Sequence, residues 1–279
     1  MTQDDFIIRQ MTPADLELAL DWAAAEGWNP GLTDAIAFHQ TDAKGFLMGH
    51  IGDQPAGSIA AVRYGDRYGF LGLYIVQPQW RGRGYGMQLW QAGLQILGDR
   101  TLALDGVLAQ VDNYQTFGFK TAHHHIRYEG LGEAYAKQAG VVPLRDIPFT
   151  TLLDYDTQHF LDRRPTFLQA WVGLNEGYAF LEHGQLLGYG VIRATRRGFK
   201  LGPLFADRPA IAQALFQALL THAIGQPVFL DCPDANPEAI ALAETHDMKP
   251  VFTCARMYTQ APPPLPLAKI FGVTTLELG

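Results

Sequence analysis

The chain has 279 residues, of which 48% are hydrophobic and 18% charged, a balance that excludes a disordered polymer and fits an ordinary globular protein. Its length is about twice that of a usual domain, so two domains are expected, with one large domain as the alternative. A formal net charge of -7 argues against a nucleic-acid polyanion as the main partner and favours a neutral or cationic one. The two cysteines, Cys232 and Cys254, show no CxxC spacing, so neither a disulfide framework nor a thiolate metal site is indicated. Met1-Thr2-Gln3-Asp4-Asp5 is acidic, and no run approaches the roughly 18 apolar residues of a membrane span. A cytoplasmic chain with no membrane partner is the expectation.

In chain order, a short β-like run from Phe6 to Arg9 precedes Thr12-Pro13-Ala14-Asp15, a helix start with a capping Thr, Pro at the first position and an acid against the dipole. Leu16, Leu20 and Trp22 continue it. Gly27-Trp28-Asn29-Pro30-Gly31 breaks the chain before a second helical stretch, Thr33 to Gln40. Three strands follow, Gly45 to Ile51, Gly57 to Tyr64 and Tyr68 to Val76, joined by turn-forming residues into an antiparallel meander. After a glycine-rich segment, Leu89, Trp90, Gly93, Leu94 and Leu97 mark one face of a helix. A strand from Thr101 to Leu104, a short helix around Gln110 to Phe117 and a strand from His123 to Tyr128 complete the half.

The second half repeats that order. Val141 to Arg145 matches Phe6 to Arg9, Tyr178 to Gly188 matches Phe46 to Gly57, and Phe229-Leu230-Asp231 matches Leu102 to Asp105. Ala255-Arg256-Met257-Tyr258 matches His125-Ile126-Arg127-Tyr128. The pattern divides the chain into a first domain (1–130), a linker (131–140), a second domain (141–260) and a proline-rich extended strap (261–279).

Arg81-Gly82-Arg83-Gly84-Tyr85-Gly86 stands between a strand and a helix. A helix N-terminus offers unpaired N–H groups and a positive dipole end, and glycines admit a phosphate close to them. Arg81 and Arg83 add cationic side chains, while Trp80 and Met87 can pack the turn. A P-loop is excluded because Met87-Gln88 follows Gly86 where Lys-Ser/Thr is needed. A Rossmann fingerprint is excluded by the glycine spacing and by the three preceding antiparallel strands. A plain glycine turn capping a helix is the alternative to a pyrophosphate cradle.

The run Leu73-Tyr74-Ile75-Val76-Gln77-Pro78-Gln79-Trp80-Arg81-Gly82-Arg83-Gly84-Tyr85-Gly86 resembles the cofactor motif of the GNAT N-acetyltransferase superfamily: a strand ending in Val, then Pro, then Q/R-x-x-G-x-G/A opening a helix. The resemblance covers residues 6 to 128 in element order, and the whole chain resembles a tandem subfamily with a divergent second copy. It implies an α+β fold (an α/β mixed sheet) of two tandem GNAT-like domains, each a mostly antiparallel sheet with helices on both faces. It also implies acetyl-CoA as cofactor, with backbone groups of Tyr74, Ile75 and Val76 holding pantetheine. The residues from Gly82 to Met87, with Arg81, would hold pyrophosphate. Tyr114, four residues before Gly118-Phe119, takes the family's general-acid position. The Asn that the family carries seven residues earlier is Val107 here, and Asn113 is out of register but near enough to keep as a cofactor contact.

Candidates for the base are Asp105, Glu26, Asp34 and the run His123-His124-His125. Neighbouring strand residues face opposite sides, so three adjacent histidines do not form one metal site, and no metal is expected. Trp28, with Glu26 and Asp34, lies where the family builds its acceptor wall. In the second copy the glycine turn becomes Phe205-Ala206-Asp207-Arg208-Pro209-Ala210-Ile211 and the tyrosine becomes Ala243, so that half is expected to be silent, completing the acceptor site, binding a regulator or forming a homodimer. The expected activity is transfer of acetyl from acetyl-CoA to a primary amine, small-molecule rather than peptide, in a ternary complex. A non-catalytic acyl-CoA-sensing or partner-binding protein is the alternative.

Overall fold

The computed structural model describes residues 6–279, and the acidic start Met1–Asp5 lies outside them. The first half comprises β1 (Phe6–Gln10), α1 (Pro13–Ala25), α2 (Asp34–Thr41), β2 (Phe46–Ile51), β3 (Gln54–Tyr64), β4 (Tyr68–Val76), α3 (Tyr85–Leu97), β5 (Thr101–Val107), α4 (Val111–Thr116) and β6 (Lys120–Leu131). The second comprises β7 (Val141–Pro143), α5 (Phe149–Thr157), α6 (Pro165–Leu174), β8 (Glu176–Glu182), β9 (Gln185–Ala194), β10 (Phe199–Ala206), α7 (Pro209–Leu220), β11 (Pro227–Pro233), α8 (Pro237–Thr245) and β12 (Lys249–Tyr258), followed by β13 (Ile270–Gly272).

Local chemistry explains several boundaries. Thr12 accepts a hydrogen bond from Asp15 N–H while the Asp15 carboxylate accepts one from Thr12 N–H, a reciprocal cap that starts α1. Along β3, Ala60 and Val62 join a core under α1 and α2, while Ile59 and Ala61 join the core under α3. That division follows from the two-residue alternation of a strand. The first of these cores runs on without a break into Leu153, Trp171 and Tyr189 of the second half.

The halves are joined by more than a linker. The sheet runs β1-β2-β3-β4-β5-β12-β6-β11-β10-β9-β8-β7, so the last strand of each half lies beside the fifth strand of the other. β12 pairs antiparallel with β5, β6 pairs antiparallel with β11, and the two exchanged strands pair with each other at the centre. The expected boundary at residues 131–140 falls in irregular chain, but β6 before it belongs to the second half's side of the sheet. The repeat alignment set Arg127 against Met257. Strand pairing instead makes Arg127 and Arg256 equivalent, each opposite an aspartate near the end of the other half's fifth strand. The two pairings run without a register shift through these positions, so the repeat is offset by one residue from the sequence alignment. The expected strap also carries a strand, β13, which pairs with β10.

No helix among the described residues is long and apolar enough to cross a membrane. Because each half completes the other's sheet, the chain should unfold in one cooperative step. Differential scanning calorimetry is expected to give a single transition with equal calorimetric and van't Hoff enthalpies. Two resolved transitions would contradict the exchanged-strand topology.

Candidate active site

β4 and β5 run parallel and paired only from Tyr68–Thr101 to Leu71–Leu104. Beyond that point they separate, because β4 carries an extra residue: Ala60 pairs with Gly72 but Ser58 with Ile75. Leu73 turns through the left-handed region at φ 45°, and Ser58 Oγ donates to its carbonyl at 2.7 Å. The edges of Gly72–Val76 and Asp105–Val107 are thus left facing one another across a gap. The gap opens into a cleft of about 680 Å³.

The N-terminus of α3 closes one end of this cleft. Gly82 and Gly84 adopt φ values of 75° and 81°, which a side chain would strain, and beyond each Cα there is open space. Among the described residues no side chain caps the helix, and the first donor bonded back along the chain is Gln88, to Gly84 O. The N–H groups of Gly82, Gly84, Gly86 and Met87, which line the cleft, bond no other described residue. These features fit a pyrophosphate at the helix end and an extended thiol-bearing arm in the strand gap.

Glu26, Trp28, Tyr74, Ile75, Val76, Arg81, Gly82, Gly84, Gly86, Met87, Asp105, Asn113 and Tyr114 all line the cleft. The remaining expected residues do not. The exposed Arg83 stacks over Trp80 at 5.0 Å, and the Tyr85 side chain is buried against Phe6, 4.6 Å between ring centres, so Tyr85 can serve only through its backbone. Arg81 is turned away from the phosphate position: its Nε donates to Val76 O at 2.7 Å and its Nη2 to Glu26 at 2.5 Å. Asn113 donates to Gln110 at 2.5 Å at the cleft mouth, and Val107 lines the wall.

Two acid candidates require correction. Asp34 has no exposure; it caps Gly31 N–H at 2.7 Å and pairs with Arg193 of the second half at 3.0 Å, so it binds no acceptor. Asp105 is bonded by Arg256 through both oxygens, at 2.9 and 2.8 Å, and lies 3.0 Å from His125 Nδ1. Burial alone would raise its pKa, but Arg256 and His125 outweigh burial and hold the carboxyl well below its usual range. A carboxylate so stabilised is a poor proton acceptor. Cys254 places its sulfur within 4.8 Å of the Asp105 and His125 ligand atoms, but burial pushes its thiol up and Arg256 already supplies the cation.

The histidine run divides between faces as strand geometry dictates. His123 and His125 meet at 3.2 Å, while His124 pairs with Asp234 at 3.1 Å. Burial first, then the neighbouring His125, lowers His123 to about 3, and its side chain lies outside the cleft lining.

Tyr114 lies against Trp90, 5.5 Å between ring centres, and its hydroxyl bonds no other described residue. Burial, with a contribution from Tyr74, pushes it up to about 12, which keeps its proton available throughout the neutral range. The sequence reading missed the second-half contribution: Phe252 and Cys254 from β12, and Leu276 and Glu277 from the segment after β13. It also missed Arg127, whose guanidinium is held by Asp231 at 2.6 and 2.9 Å and by Trp28 O at 2.7 Å. An arginine repeated one register apart in the two last strands was the only signal available for it.

The parting of parallel strands thus ends at a glycine-lined helix start, with Tyr114 beside it. The chain belongs to the GNAT acetyltransferase superfamily, as a tandem member. Residues 14–119 match the model of the acetyltransferase (GNAT) family, and residues 152–272 match that of an acetyltransferase (GNAT) domain. It is 30% identical over 274 residues to the holothin acyltransferase of a Pseudoalteromonas species, spanning 96% of this chain and 93% of that one. In fold it is similar to a proposed acetyltransferase from Pyrococcus horikoshii, with a TM-score of 0.85 at 22% identity over 100% of this chain and 98% of the other. A tandem GNAT protein of the clavulanic acid biosynthesis pathway gives 0.65 at 16% identity, over 93% and 99%.

The Asp105–Arg256 pair predicts an acid-sensitive stability. Since the folded carboxyl titrates below its unfolded counterpart, the contribution is full above about pH 4 and is lost as the pH falls further. Asp105→Asn leaves Arg256 buried without its counter-charge and should cost about 3–5 kcal/mol in urea unfolding at pH 7, with a flatter response to acid. An unchanged midpoint would contradict a structural role.

Proposed function

We propose that the protein transfers the acetyl group of acetyl-CoA to the primary amine of a small molecule, by direct attack within a ternary complex. The observation that carries this reading is the β4–β5 gap, ending at the unpaired N–H groups of Gly82 to Met87 and bordered by the Tyr114 hydroxyl. When bound, acetyl-CoA supplies an activated thioester. The helix end would hold its pyrophosphate, and the free edge of β4 would orient the pantetheine arm by backbone hydrogen bonds. Tyr114 would protonate the departing sulfur, a task suited to a phenol that stays protonated at neutral pH.

The amine acceptor fits the acidic net charge of the chain and the carboxylates along the cleft. The named activity of the Pseudoalteromonas relative, acyl transfer to holothin, supports a small molecule rather than a protein as acceptor. Tyr114→Phe should bind acetyl-CoA as the wild type does, while kcat falls about 100-fold or more. Stopped-time assays of CoA release on a panel of primary amines, paired with calorimetric titration of acetyl-CoA, measure both. A phenylalanine variant with wild-type kcat would remove Tyr114 from the reaction.

A further inference from the structure

Residues 270–279 run through the interior rather than over the surface. The second half has its own parting of parallel strands, between β10 and β11, which pair only over Phe199–Leu201 and Val228–Leu230. β13 fills it: Gly272 and Ile270 pair with Leu204 and Phe205 of β10, and Val273 N–H donates to Asp231 O at 3.0 Å. Past β13 the chain stays buried. Thr274 Oγ1 accepts from Arg164 at 2.9 Å, and Leu278 O accepts from the Tyr64 hydroxyl at 2.9 Å.

Between those two anchors the segment crosses to the first half. There the Glu277 carbonyl lies so close to Gly72 that any side chain at 72 would collide with it. Leu276 and Glu277 thereby become part of the first half's cleft wall.

The Glu277 side chain is 3% exposed, and its Oε2 is buried with no hydrogen-bond partner among the described residues. A buried carboxylate oxygen without a partner is costly and marks a place where a donor belongs. The other two carboxylates of the cleft are taken, Glu26 by Arg81 and Asp105 by Arg256 and His125. The cations near Glu277 are Arg127 on β6 and Lys200 on β10. Arg127 is occupied by Asp231 and Trp28 O, and Lys200 reaches Trp28 O at 3.3 Å, so neither bonds the carboxylate.

We propose that Glu277 receives the acceptor's ammonium group and takes its proton, the second half having given up its own cofactor gap to hold the segment that carries this residue. The proposal rests on the acyltransferase reading above. In the step, Glu277 removes one proton from the ammonium, and the freed lone pair forms the C–N bond to the thioester carbon. The C–S bond breaks with its electron pair on sulfur, which takes the Tyr114 proton. The remaining excess N–H proton returns to the Tyr114 phenolate, and Glu277 passes its proton to solvent. The products are an amide, the free thiol and one released proton.

The test compares wild type, Glu277→Gln and Glu277→Asp for acetyl-CoA affinity by calorimetry, and for kcat and kcat/KM against pH with amines of different basicity. Glutamine should leave acetyl-CoA affinity unchanged, lower kcat about 100-fold or more, and abolish the acid limb that is common to all the amines. Aspartate should be intermediate and keep that limb. A glutamine variant within twofold of wild-type kcat, or slowed with the common acid limb intact, overturns the proposal, as does loss of acetyl-CoA affinity in both variants. Wild-type protein that binds acetyl-CoA but releases no CoA with any amine defeats the acyltransferase reading itself, and the role of Glu277 with it.

Discussion

Two buried guanidinium–carboxylate pairs hold the exchanged strands, and the rest of the molecule depends on them. Arg127 on β6 binds Asp231 on β11, and Arg256 on β12 binds Asp105 on β5, each through two hydrogen bonds. Planar, two-point bonding of this kind fixes geometry as well as charge. A buried ion pair adds little net stability compared with apolar packing, yet losing one partner is expensive, so these pairs act as register pins. Each aspartate is the first residue of a fifth strand beyond its parallel pairing, so the pins sit where each gap begins.

Equivalent gaps have met different fates. In the first half, glycines at positive φ leave the helix end bare, and the gap stands open. At the equivalent turn of the second half, Pro209 supplies no N–H at the first position of α7, and the Asp207 carboxylate accepts from the Tyr155 hydroxyl and from Lys269 at 3.0 and 3.1 Å. An acidic group there repels a pyrophosphate, and β13 occupies the strand edge an extended ligand would use. The filling of the second strand gap is therefore coupled to the walling of the first, because the same segment does both.

Local features were legible in the sequence because they depend on near neighbours. The cap at Thr12 and the bounds of β4 follow from residue type and spacing, and the turn from Gly82 to Gly86 declares its backbone need directly. Tyr114 was legible through its offset from Gly118-Phe119. The strand exchange was not, since β6 and β12 pair equally well with either fifth strand as far as pattern shows, and only the arginine register chooses. Asp105 and Asp34 looked like free acids because their partners, Arg256 and Arg193, lie in the other half. Glu277 was hidden within a stretch that its prolines marked as a strap, and no local signal tied it to Gly72.

The central claim is that one acyl-CoA site survives in a chain built from two acyl-CoA-binding folds. Calorimetric titration of the full chain with acetyl-CoA tests it most directly. One equivalent per chain is the result this account predicts, with affinity reduced when Gly84 is replaced by valine. Two equivalents, or one equivalent indifferent to Gly84→Val, would contradict it.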